Sequence, residues 1–170
     1  MAARLTRNVG RNHMINPYDT KYDQETYYWG VRPCSMCFDV LKLLPPDRPL
    51  RLLDIGCGEG RHAVFFARNG YEVSAFDLSE KGVEKTRLLA DRCRVQVKVF
   101  RADLNWFRLE EEYDILFSTG VLHHIPASNR QEIFENYKWM TRTGGLNAFS
   151  VFVTKPFIEP APDVEPTAHK

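Results

Sequence analysis

Short apolar runs alternate with helical spacing along most of the chain. Five runs are typical of buried strands, and they lie at Arg51–Ile55 and at 71–76, 95–99, 113–118 and 146–153. Between them, apolar residues at helical spacing predict helices over Arg61–Arg68, from Ser79 to about Arg92, and from Ser128 towards Gly144. This alternation predicts right-handed crossovers and a Rossmann-like α/β fold with a doubly wound, mainly parallel sheet.

The predicted helix boundaries come from residues that cap or end helices. Ser79 is a good N-cap, and Ser128 with Gln131 has the pattern of a capping box. Asn69-Gly70 and Gly144-Gly145 favour helix ends. One further helix is predicted ahead of the first strand, from Pro33 to Pro45-Pro46, and its apolar stripe consists of Cys34, Cys37, Phe38, Leu41 and Leu44.

Both ends of the chain lack this alternation. Residues 1–20 show no hydrophobic period and are predicted to form a mobile segment. Residues 154–170 hold four of the ten prolines and are predicted to form an irregular tail. The folded domain is therefore expected over residues 21–153.

The amino-acid composition limits the binding partners and the cellular location that can be expected. The 23 Lys+Arg and 22 Asp+Glu nearly cancel, which argues against nucleic-acid binding because that needs a basic excess. No stretch approaches the ~20 apolar residues that cross a bilayer, so no membrane association is expected. A chain of 170 residues can bury its own core without disulfides, so the four cysteines favour a cytoplasmic location.

A glycine-rich turn, Gly56-Cys57-Gly58-Glu59-Gly60, follows the first strand. Such a turn lets the backbone approach a ligand closely, and ligands of doubly wound sheets bind at the carboxyl ends of the strands. A dinucleotide fingerprint would place its third glycine at the position of Arg61, so an NAD-dependent oxidoreductase is the weaker alternative. Asp77 ends the second strand and suits two ribose hydroxyls in either case.

Four motifs stand in order at the predicted strand ends. They are Leu53-Asp54-Ile55-Gly56-Cys57-Gly58-Glu59-Gly60, Phe76-Asp77-Leu78-Ser79, Arg101-Ala102-Asp103-Leu104 and Ser118-Thr119-Gly120-Val121-Leu122-His123-His124. With these motifs the chain resembles the class I S-adenosylmethionine-dependent methyltransferases. Residues 54–61 and 68–73 and Asp103-Leu104-Asn105 are most similar to the tellurite-resistance methyltransferases and their small-molecule relatives.

The resemblance implies a role for each matching residue. Backbone at Gly56, Cys57 and Gly58 would lie under the methionine part of S-adenosylmethionine, and Asp54 would orient its ammonium group. Asp77 would accept hydrogen bonds from both ribose hydroxyls. Asp103, Leu104 and Leu78 would contact the adenine ring. Ser118 and Thr119 would line the methionine side.

The resemblance also raises a question of length. Class I methyltransferases usually carry seven strands, whereas this pattern predicts five before the proline-rich residues. The chain is therefore expected to lack the last strands of that fold and to be a shortened form. The fifth predicted strand would then be an apolar edge, through which a homodimer is expected to form.

Several other residues carry reactive side chains. His123 and His124 follow the fourth strand, where either is a candidate general base or a hydrogen-bonded loop residue. Tyr28 belongs to an aromatic segment that is expected either to cover the site or to pack on the sheet edge. Cys34 and Cys37 form a C-x-x-C pattern that favours core packing over a redox pair or half a zinc site. No metal site is predicted, because the His123-His124 pair offers too few ligands and the sequence gives no sign that His13 or His62 lies near it.

The expected activity is methyl transfer to a small-molecule acceptor, such as a soft thiol, selenium or tellurium nucleophile. Such acceptors need no dedicated base, so the lack of an evident catalytic dyad is compatible with this chemistry. The first alternative is an inactive form that binds cofactor or a partner. The second is an NAD-dependent oxidoreductase.

Overall fold

Five parallel strands form a single sheet in the computed structural model, which describes residues 16–153. In chain order the strands are β1 (Arg51–Ile55), β2 (Glu72–Asp77), β3 (Val97–Arg101), β4 (Tyr113–Thr119) and β5 (Thr141–Ser150). Their order across the sheet is β3-β2-β1-β4-β5. The helices are α1 (Pro17–Tyr22), α2 (Ser35–Leu43), α3 (Arg61–Arg68), α4 (Glu80–Cys93) and α5 (Ala127–Trp139), with a short 3-10 helix at Leu122–His124.

Apolar side chains alternate between the two faces of the sheet and build a core on each. Leu52 and Phe117 face a cluster that includes Phe66 of α3 and Cys37 of α2. Leu53 and Ile55 point to the opposite face and share a second cluster with α5. Because side chains alternate along a strand, Asp54 lies on the same face as Leu52, beside α2 and α3.

The structure confirms the doubly wound parallel sheet and several element boundaries. β1 and α3 have the predicted bounds. The Ser79 hydroxyl caps α4, since it accepts a hydrogen bond from the Gly82 N–H at 3.0 Å. Helix α1 begins at Pro17, so the boundary predicted at residue 20 falls inside a helix. Residues 1–15 of the predicted mobile segment and the predicted tail over 154–170 lie outside the described residues.

Two predicted helix signals are wrong. The capping box of Ser128 and Gln131 does not form, because α5 starts after Pro126 and the Ser128 hydroxyl donates to the Asn129 side chain. Gly144-Gly145 does not end α5 but lies within β5, at an irregularity where the pairing jumps from Tyr113–Thr141 to Ile115–Leu146. A Cβ on Gly145 would lie 2.6 Å from the Asp114 carbonyl oxygen, so the glycine allows this bulge.

β3 and β5 are the edges of the sheet that the described residues form. β5 ends at Ser150 rather than at Val153, and Ala148 is its one buried residue. Val151, Phe152 and Val153 follow the strand and are exposed. Association through this edge stays a prediction. None of the helices in the described part of the chain is long and apolar enough to cross a membrane.

Asp114 joins three segments at the amino end of the sheet. Its carboxylate accepts hydrogen bonds from the Arg51 N–H at 2.9 Å, from Arg48 at 3.2 Å and from Arg142 at 3.0 Å. Burial opposes ionisation, but the hydrogen bonds from Arg51 and Arg48 outweigh it and hold the pKa of Asp114 below its ordinary value. The ionised carboxylate therefore stabilises the fold.

We expect Asp114→Asn to lower the free energy of unfolding at pH 7 by about 1–2 kcal/mol, because charge-assisted hydrogen bonds are lost. A carboxyl whose pKa is lowered in the folded state stabilises above its unfolded pKa, and this contribution is lost as pH falls through the folded pKa. Urea titrations at pH 7 and in acid should show the difference shrinking in acid. Glu110→Gln, at an exposed position, serves as control. An equal difference at both pH values would contradict the assignment.

Candidate functional site

The carboxyl ends of β1 and β4 meet at the point where the strand order reverses. β1 pairs with β2 on one side and with β4 on the other. The connections that follow β1 and β4 therefore pass to opposite faces of the sheet, with α3 on one and α5 on the other. Open α/β sheets bind ligands at such a point.

The glycine turn after β1 requires residues without side chains. Gly56, Gly58 and Gly60 have φ angles of +70°, +56° and +87°, which favour glycine. A Cβ on Gly56 would lie 2.5 Å from Val121, and one on Gly60 would lie 2.7 Å from Thr86. The N–H groups of Gly56 and Cys57 both donate to the Phe76 carbonyl, at 2.9 and 3.0 Å. The turn is thus held against the end of β2.

Asp77 ends β2 and contacts this turn directly. One carboxylate oxygen accepts the Gly58 N–H at 2.8 Å, and the other accepts the Ser79 N–H at 2.8 Å. Burial raises the pKa of Asp77, although these two hydrogen bonds act in the opposite direction. Each carboxylate oxygen can accept more than one hydrogen bond, so Asp77 can still receive hydroxyl donors.

Asp54 lies beneath the turn with part of its hydrogen-bonding capacity unused. The residue is 1% exposed, and its Oδ2 has no hydrogen-bond partner among the described residues. Burial, reinforced by the nearby charge of Asp77, raises the pKa of Asp54 to about 7. A buried carboxylate oxygen without a partner is costly, so the site favours a ligand that brings a cationic donor.

Helix α1 covers the glycine turn from the solvent side. The Tyr22 hydroxyl oxygen would lie 3.0 Å from a Cβ on Gly58, and it accepts a hydrogen bond from the Trp29 indole at 3.2 Å. Burial, and after it the charge of Asp77, raises the pKa of Tyr22. The Asp19 carboxylate accepts a hydrogen bond from the Ser79 hydroxyl, and Asp23 pairs with Lys81 at 3.1 Å. We call residues 17–29 the N-terminal cover.

A buried ion pair ties the N-terminal cover to the turn. Glu59 and Lys85 are 2.7 Å apart, and Glu59 also accepts the Trp29 N–H at 3.2 Å. Lys85 donates to the Thr26 carbonyl at 2.6 Å. Within the aromatic segment, Trp29 lies beside the glycine turn, whereas Tyr27 packs between α3 and α4 and Tyr28 is exposed. The covering of a bound cofactor and acceptor stays a prediction. Sequence reasoning missed this ion pair, because the partners are 26 positions apart.

The other predicted cofactor residues occupy different surroundings. Leu78 is 42% exposed at the end of β2, whereas Leu104 packs against the second core cluster. Asp103 accepts the Asn105 N–H at 2.9 Å and so closes a turn.

Ser118 is fully buried and donates to the Ile55 carbonyl at 2.8 Å. The Cys57 thiol is buried beside the Thr86 hydroxyl at 3.8 Å, so Cys57 offers a ligand its backbone only.

The three catalytic candidates lie near the carboxyl ends of the strands, but they differ in their contacts and exposure. His123 and His124 belong to the short 3-10 helix that follows Val121, the residue against Gly56. Their ring centroids are 4.1 Å apart, and His124 meets Tyr18 of the N-terminal cover edge-on at 6.4 Å. Tyr28 is exposed and packs edge-on against Trp29 at 4.8 Å.

Thr119 lies beside a histidine that sequence reasoning left unassigned. Its hydroxyl is 3.4 Å from Nδ1 of His62. Burial, and to a lesser degree the charge of Arg61, lowers the pKa of His62 to about 3. The imidazole is therefore neutral at physiological pH.

Comparison with known proteins decides the family. The family model described as "Tellurite resistance protein TehB" matches residues 18–158. The chain belongs to the TehB family. This confirms the resemblance drawn from the four motifs at the strand ends.

Individual relatives match this chain over part of their own length. "Probable S-adenosyl-L-methionine-dependent methyltransferase TehB" of Haemophilus influenzae is 28% identical over 109 residues, which cover 64% of this chain and 38% of that protein. "Hemagglutinin 1" of Eikenella corrodens is 35% identical over 99 residues, or 58% of this chain and 33% of that protein. The matched region thus spans between 33% and 38% of these relatives.

Solved structures share the fold. The crystal structure of TehB from Haemophilus influenzae superimposes with a TM-score of 0.64 and 26% identity, covering 69% of this chain and 40% of that one. A methyltransferase from Geobacter sulfurreducens, solved with S-adenosyl-L-homocysteine, has a TM-score of 0.63 and 17% identity over 79% of this chain and 55% of that one. The second likeness shows the fold alone.

One further glycine beside the turn was missed from sequence. A Cβ on Gly82 of α4 would lie 2.7 Å from the Gly58 carbonyl oxygen and 3.2 Å from the Tyr22 ring. Gly82 therefore lets α4 approach both the turn and the N-terminal cover. No local sequence pattern marks it, because the contact joins segments far apart along the chain.

We expect Gly82→Ala to lower the free energy of unfolding by up to about 2 kcal/mol. Alanine gains about 1 kcal/mol of helix propensity, but overpacking against rigid backbone costs about 1–3 kcal/mol and prevails. Urea unfolding measures the change, with Asp91→Ala at an exposed position of α4 as control. A Gly82→Ala protein as stable as wild type would show that the glycine turn can shift to accommodate the added methyl group.

Proposed function

We propose that the chain binds S-adenosylmethionine at the carboxyl ends of β1, β2 and β3 and transfers its methyl group to a small-molecule acceptor. The observation that carries the proposal is the glycine turn at the switch point, with Asp54 beneath it and Asp77 against it. TehB-family membership and the printed name of the Haemophilus influenzae relative support it.

The residues present fit this cofactor. The unpartnered Asp54 oxygen suits the ammonium group, and Asp77 suits the two ribose hydroxyls. The backbone of Gly56, Cys57 and Gly58 would lie under the methionine part. Adenine would rest on exposed Leu78, next to Asp103 and the Leu104 N–H. Ser118 is already bonded to Ile55, so it and Thr119 would shape the methionine side.

The sulfonium of the bound cofactor supplies an activated methyl group. The task of the chain is then to hold the acceptor in line and to exclude water, which is a proximity effect. The N-terminal cover supplies the exclusion, since Tyr22 and Trp29 lie over the turn. His123, His124 and Tyr28 are the candidates for orienting the acceptor, and a histidine would also take a proton from a nitrogen or oxygen acceptor.

The proposal also includes the chemical class of the methyl acceptor. A soft thiol, selenium or tellurium nucleophile needs no strong base, and the described residues near the glycine turn contain no evident base-nucleophile pair. The description of the family as a tellurite-resistance protein fits this class. A cytoplasmic location is part of the proposal too, and the four free cysteines support it.

Binding and turnover test the proposal separately. Calorimetric titration with S-adenosylhomocysteine and with NAD should show binding of the first only. Transfer of a labelled methyl group to a panel of thiols, selenite and tellurite should then identify the acceptor. Binding without transfer to any compound would instead favour a cofactor-binding form that is inactive. Binding of NAD alone would favour an oxidoreductase and overturn the proposal.

A further inference from the structure

Two cysteines and a histidine converge behind the glycine turn, on α2 and α3. Cys34 is the N-cap of α2 and Cys37 lies in its first turn, while His62 lies in the first turn of α3. The two sulfur atoms are 3.9 Å apart. One ligand atom from each of the three residues lies within 4.8 Å of the other two.

The histidine of this cluster is buried without a full set of partners. His62 is 3% exposed and Cys37 is 0% exposed. His62 Nδ1 faces the Thr119 hydroxyl, whereas Nε2 has no hydrogen-bond partner among the described residues. Nε2 is therefore the nitrogen available to a further ligand. A buried ring nitrogen beside two thiols is unexplained by core packing, which was the sequence-based expectation for the cysteines.

We propose that Cys34, Cys37 and His62 bind a zinc ion, with a solvent molecule as the fourth ligand. Two sulfurs and one imidazole are a donor set that suits zinc and does not suit magnesium or calcium. In a tetrahedral site with Zn–S bonds of about 2.3 Å, the sulfurs would be about 3.8 Å apart. The observed 3.9 Å already matches this edge.

Binding would convert both thiols to thiolates. The hydrated zinc ion keeps one water ligand and releases the others as two Zn–S bonds and one Zn–N bond form. Two S–H bonds break, and both protons leave to solvent. Solvent has access on the side of Cys34, which is only partly buried. Thr119 would hold the imidazole by its other nitrogen, as an outer partner does in metal sites.

A redox disulfide is the other chemistry that a C-x-x-C pattern offers, and the structure favours it less. An exchanging thiol could reach Cys34 but not the fully buried Cys37. A disulfide between the two sulfurs would leave His62 Nε2 without a partner, whereas a metal ion would engage it. The zinc site goes beyond the proposed methyl transfer, because its three ligands are not among the proposed cofactor residues.

Cobalt substitution tests the site on the full chain. Reduced protein titrated with Co²⁺ should develop thiolate charge-transfer and tetrahedral visible bands that saturate at one equivalent, and Zn²⁺ should displace them. Native mass spectrometry should show one zinc bound with the loss of two protons.

Cys34→Ser is the informative variant, since serine is a better helix N-cap than cysteine and the variant should fold. It and His62→Gln should weaken Co²⁺ binding at least as much as loss of an outer partner does, which is about 10- to 100-fold. Cys93→Ser, a cysteine outside the cluster, should bind as wild type does. Circular dichroism confirms folding of each variant.

Three results would overturn the proposal. The first is reduced wild-type protein that shows no charge-transfer band with Co²⁺. The second is binding that Cys34→Ser and His62→Gln leave unchanged. The third is a Cys34–Cys37 disulfide as the only species, with no metal uptake after reduction.

Discussion

Replacing Asp77 by alanine is expected to weaken S-adenosylhomocysteine binding by about 1–3 kcal/mol, or roughly 5- to 150-fold. The variant loses the carboxylate proposed to receive the ribose hydroxyls. It also releases the Gly58 and Ser79 N–H groups, each bonded to Asp77 at 2.8 Å, so the turn loses an anchor. Isothermal titration at fixed ionic strength measures the change in dissociation constant.

Two further variants make this result specific. Asp77→Asn keeps an oxygen acceptor but loses the charge, so an intermediate loss of affinity is expected. Asp47→Ala, at an exposed position before β1, should bind as wild type does. An unchanged dissociation constant in folded Asp77→Ala protein would remove Asp77 from the site.

Asp54→Asn is expected to stabilise the fold at neutral pH while it weakens the cofactor site. The folded-state pKa of Asp54 is raised from 3.8 to about 7. The folded chain therefore holds this proton more tightly than the unfolded chain. Between about pH 4 and pH 7 the carboxyl destabilises the fold progressively, and above pH 7 the penalty is constant at no more than about 4 kcal/mol.

Asparagine does not titrate, so the variant should gain about 2–4 kcal/mol over wild type at pH 8 and little at pH 4. Urea unfolding at both pH values measures the difference, with exposed Asp39→Asn as control. The same variant should bind S-adenosylhomocysteine more weakly, because the ammonium group loses its proposed anion. A variant less stable than wild type at pH 8 would show that the Asp54 carboxylate has partners in solution that satisfy it.

Local signals predicted the elements that surround the site. Gly56, Gly58 and Gly60 need φ angles open to glycine, and Ser79 caps a helix through atoms three residues away, so both can be recognised in a short stretch of sequence. The parallel sheet follows from alternation of strands and helices. Together these were enough to place Asp54 and Asp77 at one edge.

Contacts between distant segments were not predictable in the same way. Glu59 with Lys85, Gly82 with Gly58, and His62 with the α2 cysteines each depend on how helices pack on the sheet. The prediction that Gly144-Gly145 ends a helix was wrong for a related reason. The same pair of residues can end a helix or permit a bulge, and only the pairing with β4 decides.

The placement of Tyr22 has a consequence for the speed of ligand uptake. Its hydroxyl is seated against Gly58, and the Glu59–Lys85 pair anchors the segment that follows it. A ligand that contacts the Gly58 backbone can therefore bind only after the Tyr22 ring has moved away. The observed rate constant for association would then reach a plateau at high ligand concentration, equal to the rate constant for this ring movement.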